Sequence, residues 1–268
     1  MVAFAANSVL NRLALQTTPV DAATFTAVRL LSGALMLGLV AFVRHRAVTS
    51  AGSWPSAAAL FIYAAAFSFA YTVLGAGTGA LLLFGVVQLT MIGYGLGRGE
   101  RFSALQSLGL VAAFGGLVYF VLPGLSAPPL GPAALMALAG AAWGVYSLRG
   151  RGSYDPAAVS AGNFVRTLPF VAVLVGLVVL SPGTTLRLDG LGVFYAALSG
   201  AVTSGLGYLV WYAALPSLSA TRAGAVQLSV PVLAALGGAL LLGEPITLRL
   251  ALASALILGG IFLVLRAR

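Results

Sequence analysis

Long apolar runs dominate the chain, and short stretches that contain proline, glycine or arginine separate them. Most of these runs are apolar on every face, as membrane-spanning helices are, and none is convincingly amphipathic at the helical period. They are also continuous, whereas transmembrane β-strands have about 10 residues that alternate in polarity. The pattern predicts ten helices, at 1–15, 22–43, 55–73, 77–97, 104–122, 131–148, 157–180, 189–213, 219–242 and 248–266.

Composition places these helices in a bilayer. Of the 268 residues, 60% are hydrophobic and only 7% are charged, whereas about 25% of the residues in an ordinary soluble domain are charged. A spanning helix needs about 20 apolar residues, so ten spans use about 200 and leave only short loops. We therefore expect an all-α polytopic membrane protein with ten transmembrane helices. The first run is short for a span, and we expect the numbered chain to begin partway through that helix.

The basic charge comes from fourteen arginines, because the chain has no lysine, and the net charge is +9. The arginines are scattered at the ends of apolar runs and form no patch, which favours membrane orientation over nucleic-acid binding. Successive loops face opposite sides, and one set holds nine arginines against three in the other. Since cytoplasmic loops are enriched in arginine, we expect both termini to lie in the cytoplasm. The nine are Arg44, Arg46, Arg98, Arg101, Arg149, Arg151, Arg222, Arg266 and Arg268.

A short phrase occurs twice, as GERF at 99–102 and as GEPI at 243–246, with an offset of 144 residues. A glycine pair follows each phrase at the same distance, at 115–116 and at 259–260. Weaker matches occur in the same order in both halves: FAANS from Phe4 with WGVYS from Trp143, AVR at Arg29 with FVR at Arg166, and YTVL from Tyr71 with YAAL from Tyr212. These matches indicate an internal duplication.

The two copies face opposite sides of the membrane. Glu100 follows the fourth predicted helix on the cytoplasmic side, and Glu244 follows the ninth on the outer side. Five helices, an odd number, separate them, so the repeat is inverted. We expect two five-helix halves, residues 1–125 and 126–268, related by a pseudo-two-fold axis in the membrane plane. Many secondary transporters are built in this way, with substrate held near the midplane between the repeats.

The ninth and tenth predicted helices carry PVLAALGGALLLGEPIT from Pro231 to Thr247 and LILGGIFLVL from Leu256 to Leu265. With these segments the whole chain resembles the ten-helix EamA-type branch of the drug/metabolite transporter superfamily, and most of all a YddG-type exporter of aromatic and other neutral amino acids. The resemblance implies a secondary transporter, not an enzyme, that exports small metabolites by alternating access. It also implies that helices three, four, eight and nine line the substrate cavity. Val87 stands where Pro231 would match, so the fourth helix is expected to bend less than the ninth.

The candidate substrate contacts are aromatic residues that stack on a substrate side chain, and amides and hydroxyls that hold a zwitterionic head. They are Asn7, Phe67, Tyr71, Gln88, Trp143, Tyr146, Tyr208, Trp211, Gln227 and Ser229. The candidate gate or hinge residues are Gly75, Gly79 and Pro231. Structural alternatives stay open, because the polar groups could bond one helix to another and the aromatic residues could pack the core or line the membrane interface.

Arg29 and Arg166 lie within predicted spans, where a charged side chain is costly and is often functional. Each is about 10–14 Å from a helix end at 1.5 Å per residue. One interpretation is therefore that the side chains snorkel to the headgroups and anchor the helices. The other is a role in substrate binding or gating.

Several chemistries are excluded or disfavoured. The chain has no cysteine, which excludes disulfides and thiolate sites. GAGTGA, from Gly75 to Ala80, fits a loose dinucleotide fingerprint, but that fingerprint needs a preceding strand and here apolar membrane runs flank it. The one histidine, His45, has no carboxylate nearby, and we expect no metal and no cofactor. The expected partners of a monomer are a small-molecule substrate and membrane lipid, with no nucleic acid.

Alternatives remain in substrate and in class. Within the same superfamily the substrate could be another drug or metabolite, such as a nucleobase or a cationic drug. A channel and a polytopic membrane enzyme are rivals, although the enzyme would need clustered carboxylates, histidines or metal ligands within the spans. All five carboxylates fall at predicted loops or helix ends, so the sequence predicts efflux down the substrate's own gradient rather than proton coupling.

Overall fold

The structure is a computed structural model, and it describes residues 1–45, 51–99, 103–124, 127–150, 155–183, 185–214 and 226–266. These residues form ten helices and no strand. The helices are α1 (Val2–Thr17), α2 (Ala22–Val43), α3 (Trp54–Tyr71), α4 (Ala76–Gly97), α5 (Ala104–Val121), α6 (Leu130–Gly150), α7 (Pro156–Leu180), α8 (Gly190–Ala214), α9 (Ser229–Leu242) and α10 (Leu248–Arg266).

Most of these helices have the length and the composition of membrane spans. Eight are long and apolar enough to cross a membrane, α9 is a shorter apolar helix, and α1 has 16 residues. The predicted all-α polytopic membrane protein is therefore confirmed, and the observed bounds of α2 and α10 coincide with the predicted ones. The predicted helix at 219–242 falls partly outside the described residues, which resume at 226.

Side-chain caps fix where several helices begin. Asp21, Asp155 and Asp189 accept hydrogen bonds from backbone N–H groups in the first turns of α2, α7 and α8. Ser53 and Ser103 do the same for α3 and α5. The first N–H groups of a helix have no intrahelical partner, so a cap satisfies part of that requirement. These three aspartates are therefore used at helix starts and lie away from the middle of the spans.

Asp21 also ties two connections together. Its carboxylate accepts a hydrogen bond of 2.7 Å from the backbone N–H of Arg187, in the connection before α8. Burial alone would raise the pKa of Asp21, but the hydrogen bonds from Arg187, Thr24 and Ala23 outweigh burial, and the pKa is lowered. The carboxylate is therefore ionised at neutral pH, which suits an anion at a helix N-terminus.

The helices of the two halves pack against one another. α2 packs against α7, α4 against α9 and α5 against α10, while α6 packs on α3 and α4, and α1 packs on α8 and α9. The tightest approach is between α2 and α8, where a Cβ on Gly200 would lie 2.0 Å from the carbonyl oxygen of Arg29. Only glycine permits such a contact between helix backbones. α2 and α8 therefore touch along their backbones at the level of Arg29.

The helix is broken just before α9, close to a proline. Residues 226 and 227 are helical, Leu228 forms a turn, and α9 begins at Ser229. Pro231 has no N–H to donate to the carbonyl four residues earlier, and its ring clashes with that carbonyl in a continuous helix. α4 has Val87 at the matching position and runs without a break. This agrees with the expectation that the fourth helix bends less than the ninth.

Candidate functional site

Aromatic rings from four helices meet inside the bundle. The Trp143 ring of α6 lies at the centre of this group, with centroid distances of 4.7 Å to Tyr208 of α8 and 4.9 Å to Tyr63 of α3. Phe4 of α1 lies 6.0 Å from Trp143, and Phe67 lies 5.3 Å from Tyr63. All five side chains are buried. Since Tyr63 is about half way along α3, the group lies near the middle of that span.

These rings enclose a central cavity of about 10 Å³. Its lining residues are Phe4, Asn7, Ser8, Tyr63, Phe67, Leu83, Phe84, Trp143 and Tyr208. Such a volume holds about one water molecule, whereas small-molecule pockets usually measure ~300–1,000 Å³. We call this arrangement the closed form, because the central cavity is too small to hold a metabolite.

A buried hydrogen-bond network borders the central cavity on its polar side. The Asn7 amide nitrogen donates to the Tyr63 hydroxyl at 3.3 Å. The Asn7 amide oxygen accepts from the Ser199 hydroxyl at 2.6 Å, and the Thr203 hydroxyl lies 3.1 Å from the same oxygen and shares its one proton between it and the Ser199 carbonyl. A buried amide needs such partners, because an unpaired polar group in this environment is costly. The network joins α1 and α3, in the first half of the chain, to α8 in the second.

The hydroxyls of α8 come from a widened stretch of that helix. Ser199–Leu206 is π-helical, and the Thr203 hydroxyl donates back to the Ser199 carbonyl at 2.8 Å. Two glycines in the same stretch, Gly200 and Gly205, also weaken regular helical structure. Single π-helical turns within α-helices are frequent at functional sites. Here the widened turn carries Ser199, Thr203 and Ser204, which are all buried.

Arg29 of α2 lies behind the aromatic wall of the central cavity and is only 1% exposed. Its Nε donates to the Ser204 hydroxyl at 3.2 Å, and one Nη donates to the Tyr63 hydroxyl at 3.0 Å. The guanidinium lies 5.1 Å from the ring centroid of Tyr63 and 5.0 Å from that of Phe67, within the range of cation–π contacts. The snorkelling interpretation is therefore wrong for Arg29, because its side chain is inside the protein.

Arg166, the matching arginine of the second half, has different surroundings. Its side chain is partly exposed, and one guanidinium nitrogen donates to the backbone carbonyls of Ala51 and of Gly162. Ala51 lies just before α3, so Arg166 links the first part of α7 to that connection. The repeat therefore places an arginine at both positions, but only Arg29 is enclosed among the aromatic rings.

The ten predicted substrate-binding residues fall into separate groups. Four line the central cavity, namely Asn7, Phe67, Trp143 and Tyr208. Trp211 and Tyr146 are buried beside them, with ring centroids 6.0 Å from Phe4 and 5.5 Å from Trp143 respectively. The remaining four, Tyr71, Gln88, Gln227 and Ser229, do not line the central cavity in this closed form.

Gln88 and Gln227 bond to each other. The Gln88 amide nitrogen donates to the Gln227 amide oxygen at 3.4 Å, and both side chains are buried. In this closed form the two amides join α4 to the segment before α9, which is the structural alternative left open by the sequence. The Ser229 hydroxyl donates to the nearby Val226 carbonyl at 2.6 Å.

Tyr71 and two of the predicted gate residues lie at the outer end, defined here as the end of the bundle that carries the α3–α4 and α9–α10 connections. The Tyr71 hydroxyl donates to the Ala76 carbonyl at 3.2 Å. A Cβ on Gly79 would lie 2.4 Å from the Tyr71 ring, and a Cβ on Gly75 would lie 2.9 Å from the Glu244 carboxylate. These glycines therefore permit close packing around the start of α4.

The structure adds residues that the sequence analysis did not select. Phe4 packs against Trp143, and the alignment of FAANS with WGVYS, which pairs these two residues, was a usable signal. Tyr63 precedes Phe67 by one helical turn. Ser199 and Thr203 are hydroxyl residues four apart in an apolar span, which places them on one helix face. Sequence analysis missed Ser199 and Thr203, because it could not tell which face of α8 points toward Asn7.

Comparisons with known proteins give a consistent result. The model of the EamA-like transporter family matches residues 131–266. A Pseudomonas aeruginosa protein described as uncharacterized is 60% identical over 269 residues, which cover 100% of this chain and 92% of that protein. An Archaeoglobus fulgidus protein described as an uncharacterized transporter is 32% identical over 173 residues, which cover 63% of this chain and 60% of that protein. The match to a solved crystal structure covers 98% of this chain and 95% of the chain in that structure, with a TM-score of 0.67 and 21% sequence identity. At this identity the likeness concerns the fold alone.

Proposed function

The chain belongs to the EamA-like transporter family, and on this basis we propose that it exports aromatic and other neutral amino acids across the bacterial inner membrane. It acts as a monomer in contact with membrane lipid, with both termini in the cytoplasm. The observation that carries the proposal is the central cavity, where a cage of aromatic rings adjoins the buried polar network of Asn7. Such a site offers stacking for an aromatic side chain and hydrogen bonds for an amino-acid head.

Contacts between α5 and α10 support two inverted halves, residues 1–125 and 126–268. A Cβ on Gly116 would lie 3.0 Å from the side chain of Ile257, and a Cβ on Gly260 would lie 2.6 Å from the backbone of Ala113. The offset of 144 residues that relates Gly116 to Gly260 also relates Ala113 to Ile257. Reciprocal contacts of this kind are expected where a two-fold axis passes through an interface.

The closed form supports our proposal of alternating access. The central cavity is too small for a metabolite, so substrate enters only when helices separate at one end of the bundle. Gly75 and Gly79, at the outer end of α4, and Pro231, beside the break before α9, are the hinge positions that we propose. α4 and α9 pack against each other, so movement at these positions changes the contact between the two halves.

The alternatives in substrate and class have less support. An aromatic cage also suits a cationic drug, but the buried guanidinium of Arg29 repels a second positive charge. A membrane enzyme would need a catalytic cluster, and the described residues contain no group of three or more His, Asp or Glu side chains that could hold a metal ion.

Counterflow in proteoliposomes tests the proposed function. Liposomes loaded with unlabelled L-phenylalanine, L-tryptophan or L-alanine are diluted into the labelled amino acid, and a carrier gives transient uptake that liposomes without protein do not show. The proposal predicts counterflow with the aromatic substrates and saturation with concentration. Flux that neither saturates nor responds to internal substrate would favour a channel, and counterflow with nucleobases or organic cations alone would replace the substrate class.

A further inference from the structure

Arg29 is a buried charge without a counter-charge. The described carboxylates are at helix starts or at the outer end, and within the described residues the one ion pair joins Arg12 to Glu244. A guanidinium stays protonated at any accessible pH, so Arg29 cannot avoid the cost of burial by becoming neutral. An uncompensated charge inside a membrane protein is expensive and is a functional hypothesis by default.

The hydrogen bonds of Arg29 are also incomplete. Nε and Nη2 donate to Ser204 and Tyr63, but Nη1 has no hydrogen-bond partner among the described residues. The Tyr208 hydroxyl is buried beside the guanidinium and near Tyr63 and Ser204, and it makes no hydrogen bond of normal geometry with any of them. Buried donors are normally paired. The Tyr208 oxygen can accept one N–H of Nη1, but the second N–H of Nη1 and the Tyr208 O–H then remain as donors, and together they define a place for an acceptor.

We propose that Arg29 Nη1 and the Tyr208 hydroxyl bind the carboxylate of the transported substrate, which supplies the missing negative charge. This inference rests on the proposed function and names the group that the site recognises. Tyr63 and Phe67 stack on the guanidinium and also line the central cavity. The guanidinium is therefore one layer of side chains away from the space that a substrate enters.

Charge balance selects a monoanion. One guanidinium and one carboxylate form a neutral pair, and their hydrogen bonds are charge-assisted. A phosphate dianion would leave a net negative charge in the same buried site, and an amine without a carboxylate would place two positive charges together. The site therefore favours a carboxylate over an amine that carries the same aromatic ring. It takes an amino acid through its carboxylate, and the ammonium group has to lie away from the guanidinium.

Ligand binding to the purified full-length protein tests this selectivity, with the rise in unfolding temperature as the measurement. The aromatic probes are L-phenylalanine, 3-phenylpropionate, phenethylamine and phenyl phosphate, and the aliphatic probes are butyrate and butylamine. A hydrogen bond to a charged group contributes enough that 3-phenylpropionate should bind at least about tenfold more tightly than phenethylamine. Phenyl phosphate should bind more weakly than 3-phenylpropionate.

Matched variants assign the effect to the two donors. Arg29→Gln should weaken carboxylate binding at least about tenfold and leave phenethylamine binding unchanged or stronger. If that variant does not fold, Tyr208→Phe keeps the ring and removes an unpaired hydroxyl, so it should remain as stable as the wild type and bind carboxylates severalfold more weakly. Tyr212→Phe is the control, because the Tyr212 hydroxyl is also buried and unpaired but borders a different small cavity with Tyr146 and Gly150.

The outcomes separate this inference from the proposed function. If butyrate binds better than butylamine and no aromatic probe binds, the aromatic substrate class fails and the carboxylate site stands. If phenethylamine binds as tightly as 3-phenylpropionate, or if Tyr208→Phe and every folded Arg29 variant keep carboxylate affinity, the carboxylate site is rejected. Binding of no carboxylate at all, or tighter binding of phenyl phosphate, rejects it too.

Discussion

Arg12 and Glu244 form an ion pair at the outer end of the bundle, in which Nε and Oε1 are 3.0 Å apart. The other carboxylate oxygen of Glu244 accepts a hydrogen bond of 2.7 Å from the backbone N–H of Ala76, at the start of α4. Arg12 also donates to the carbonyls of Tyr71 and Thr72, at the end of α3. Two side chains thus tie α1, α3, α4 and the α9–α10 connection together.

Removal of the Glu244 charge should open the outer end. Glu244→Gln removes the charge from hydrogen bonds that each contribute about 1.5–3 kcal/mol. The outer end should then open more often, and a residue in the central cavity should become accessible at least about tenfold faster. The chain has no cysteine, so a single Ser8→Cys reports on the central cavity through its labelling by an impermeant thiol reagent from outside. Arg249→Gln, at an arginine that bonds the carbonyls of Tyr119 and Leu122, is the control and should not change the rate.

A charge swap tests whether Glu244 acts only as an ion-pair partner. If it did, Arg12→Glu combined with Glu244→Arg would restore slow labelling. Arginine cannot accept the Ala76 N–H, and a cation at a helix N-terminus is unfavourable, so we expect the double variant to label as fast as Glu244→Gln. Restoration of the wild-type rate would show that the bond to α4 contributes nothing.

The inverted topology predicts opposite sidedness for the two ends. A cysteine at Ser103, just after the first copy of the repeated phrase, should react with an impermeant reagent only from the cytoplasmic side. A cysteine at Ile246, in the second copy, should react only from outside. Glu100 itself lies outside the described residues, so Ser103 serves in its place. Reaction of both from the same side would disprove the inverted repeat.

The glycine pairs at 115–116 and 259–260 predict a paired stability effect. A Cβ on Gly116 would lie 2.7 Å from the Leu256 side chain, and a Cβ on Gly260 would lie 2.5 Å from the Gly109 carbonyl. Alanine at either position should therefore lower the free energy of unfolding by about 1–3 kcal/mol. Gly115 and Gly259 have no atom within 4 Å of such a Cβ, so alanine there should be neutral or stabilise the helix. Thermal unfolding of the four alanine variants checks this prediction. Equal effects at 115 and 116, and at 259 and 260, would refute the close contact between α5 and α10.

Trp143 should determine affinity for aromatic substrates. Trp143→Phe keeps an aromatic ring in the central cavity but loses part of its contact with Tyr63 and Tyr208, so affinity should fall severalfold, in line with ~0.5–1.5 kcal/mol for an aromatic pair. Trp54→Phe is the control, since Trp54 is 55% exposed.

Tyr71→Phe should lower the unfolding temperature rather than the affinity, because it loses the hydrogen bond to the Ala76 carbonyl. Counterflow measured against concentration distinguishes these results, and equal affinity in wild type and Trp143→Phe would place the site elsewhere.

Transport should follow the substrate gradient without an imposed proton or sodium gradient. Asp21, Asp155 and Asp189 are helix caps, and Glu244 is bonded at the outer end, so the described carboxylates are not available near the midplane for proton coupling. Proteoliposomes with equal pH and equal sodium on both sides should therefore transport at full rate. Accumulation of substrate above equilibrium, driven by a proton gradient alone, would contradict this expectation.

Sequence alone was sufficient for the number of helices and for their approximate ends, with matching bounds for α2 and α10, but it did not give the break before α9. The bilayer requires long apolar helices, and polar caps such as Asp21 and Ser103 mark where they start, so both signals are local in the chain. Trp143 and Tyr208 were both selected as substrate contacts, and the structure places them in one buried aromatic cluster; their contact with a substrate stays a prediction. The internal duplication stays a prediction, and its sequence signal is the constant offset between features such as the glycines at 116 and 260.

Only the tertiary structure decided which side chains meet. Helices that are apolar on every face carry no pattern that fixes their rotation, so sequence could not tell that Arg29 is enclosed while Arg166 reaches backbone carbonyls at the edge of the bundle. The same reason applies to Gln88 and Gln227, which are 139 residues apart in sequence and bond to each other. The local composition of a span determines that it is buried in a membrane, but its neighbours depend on helix rotation and crossing, which arise from packing over the whole bundle.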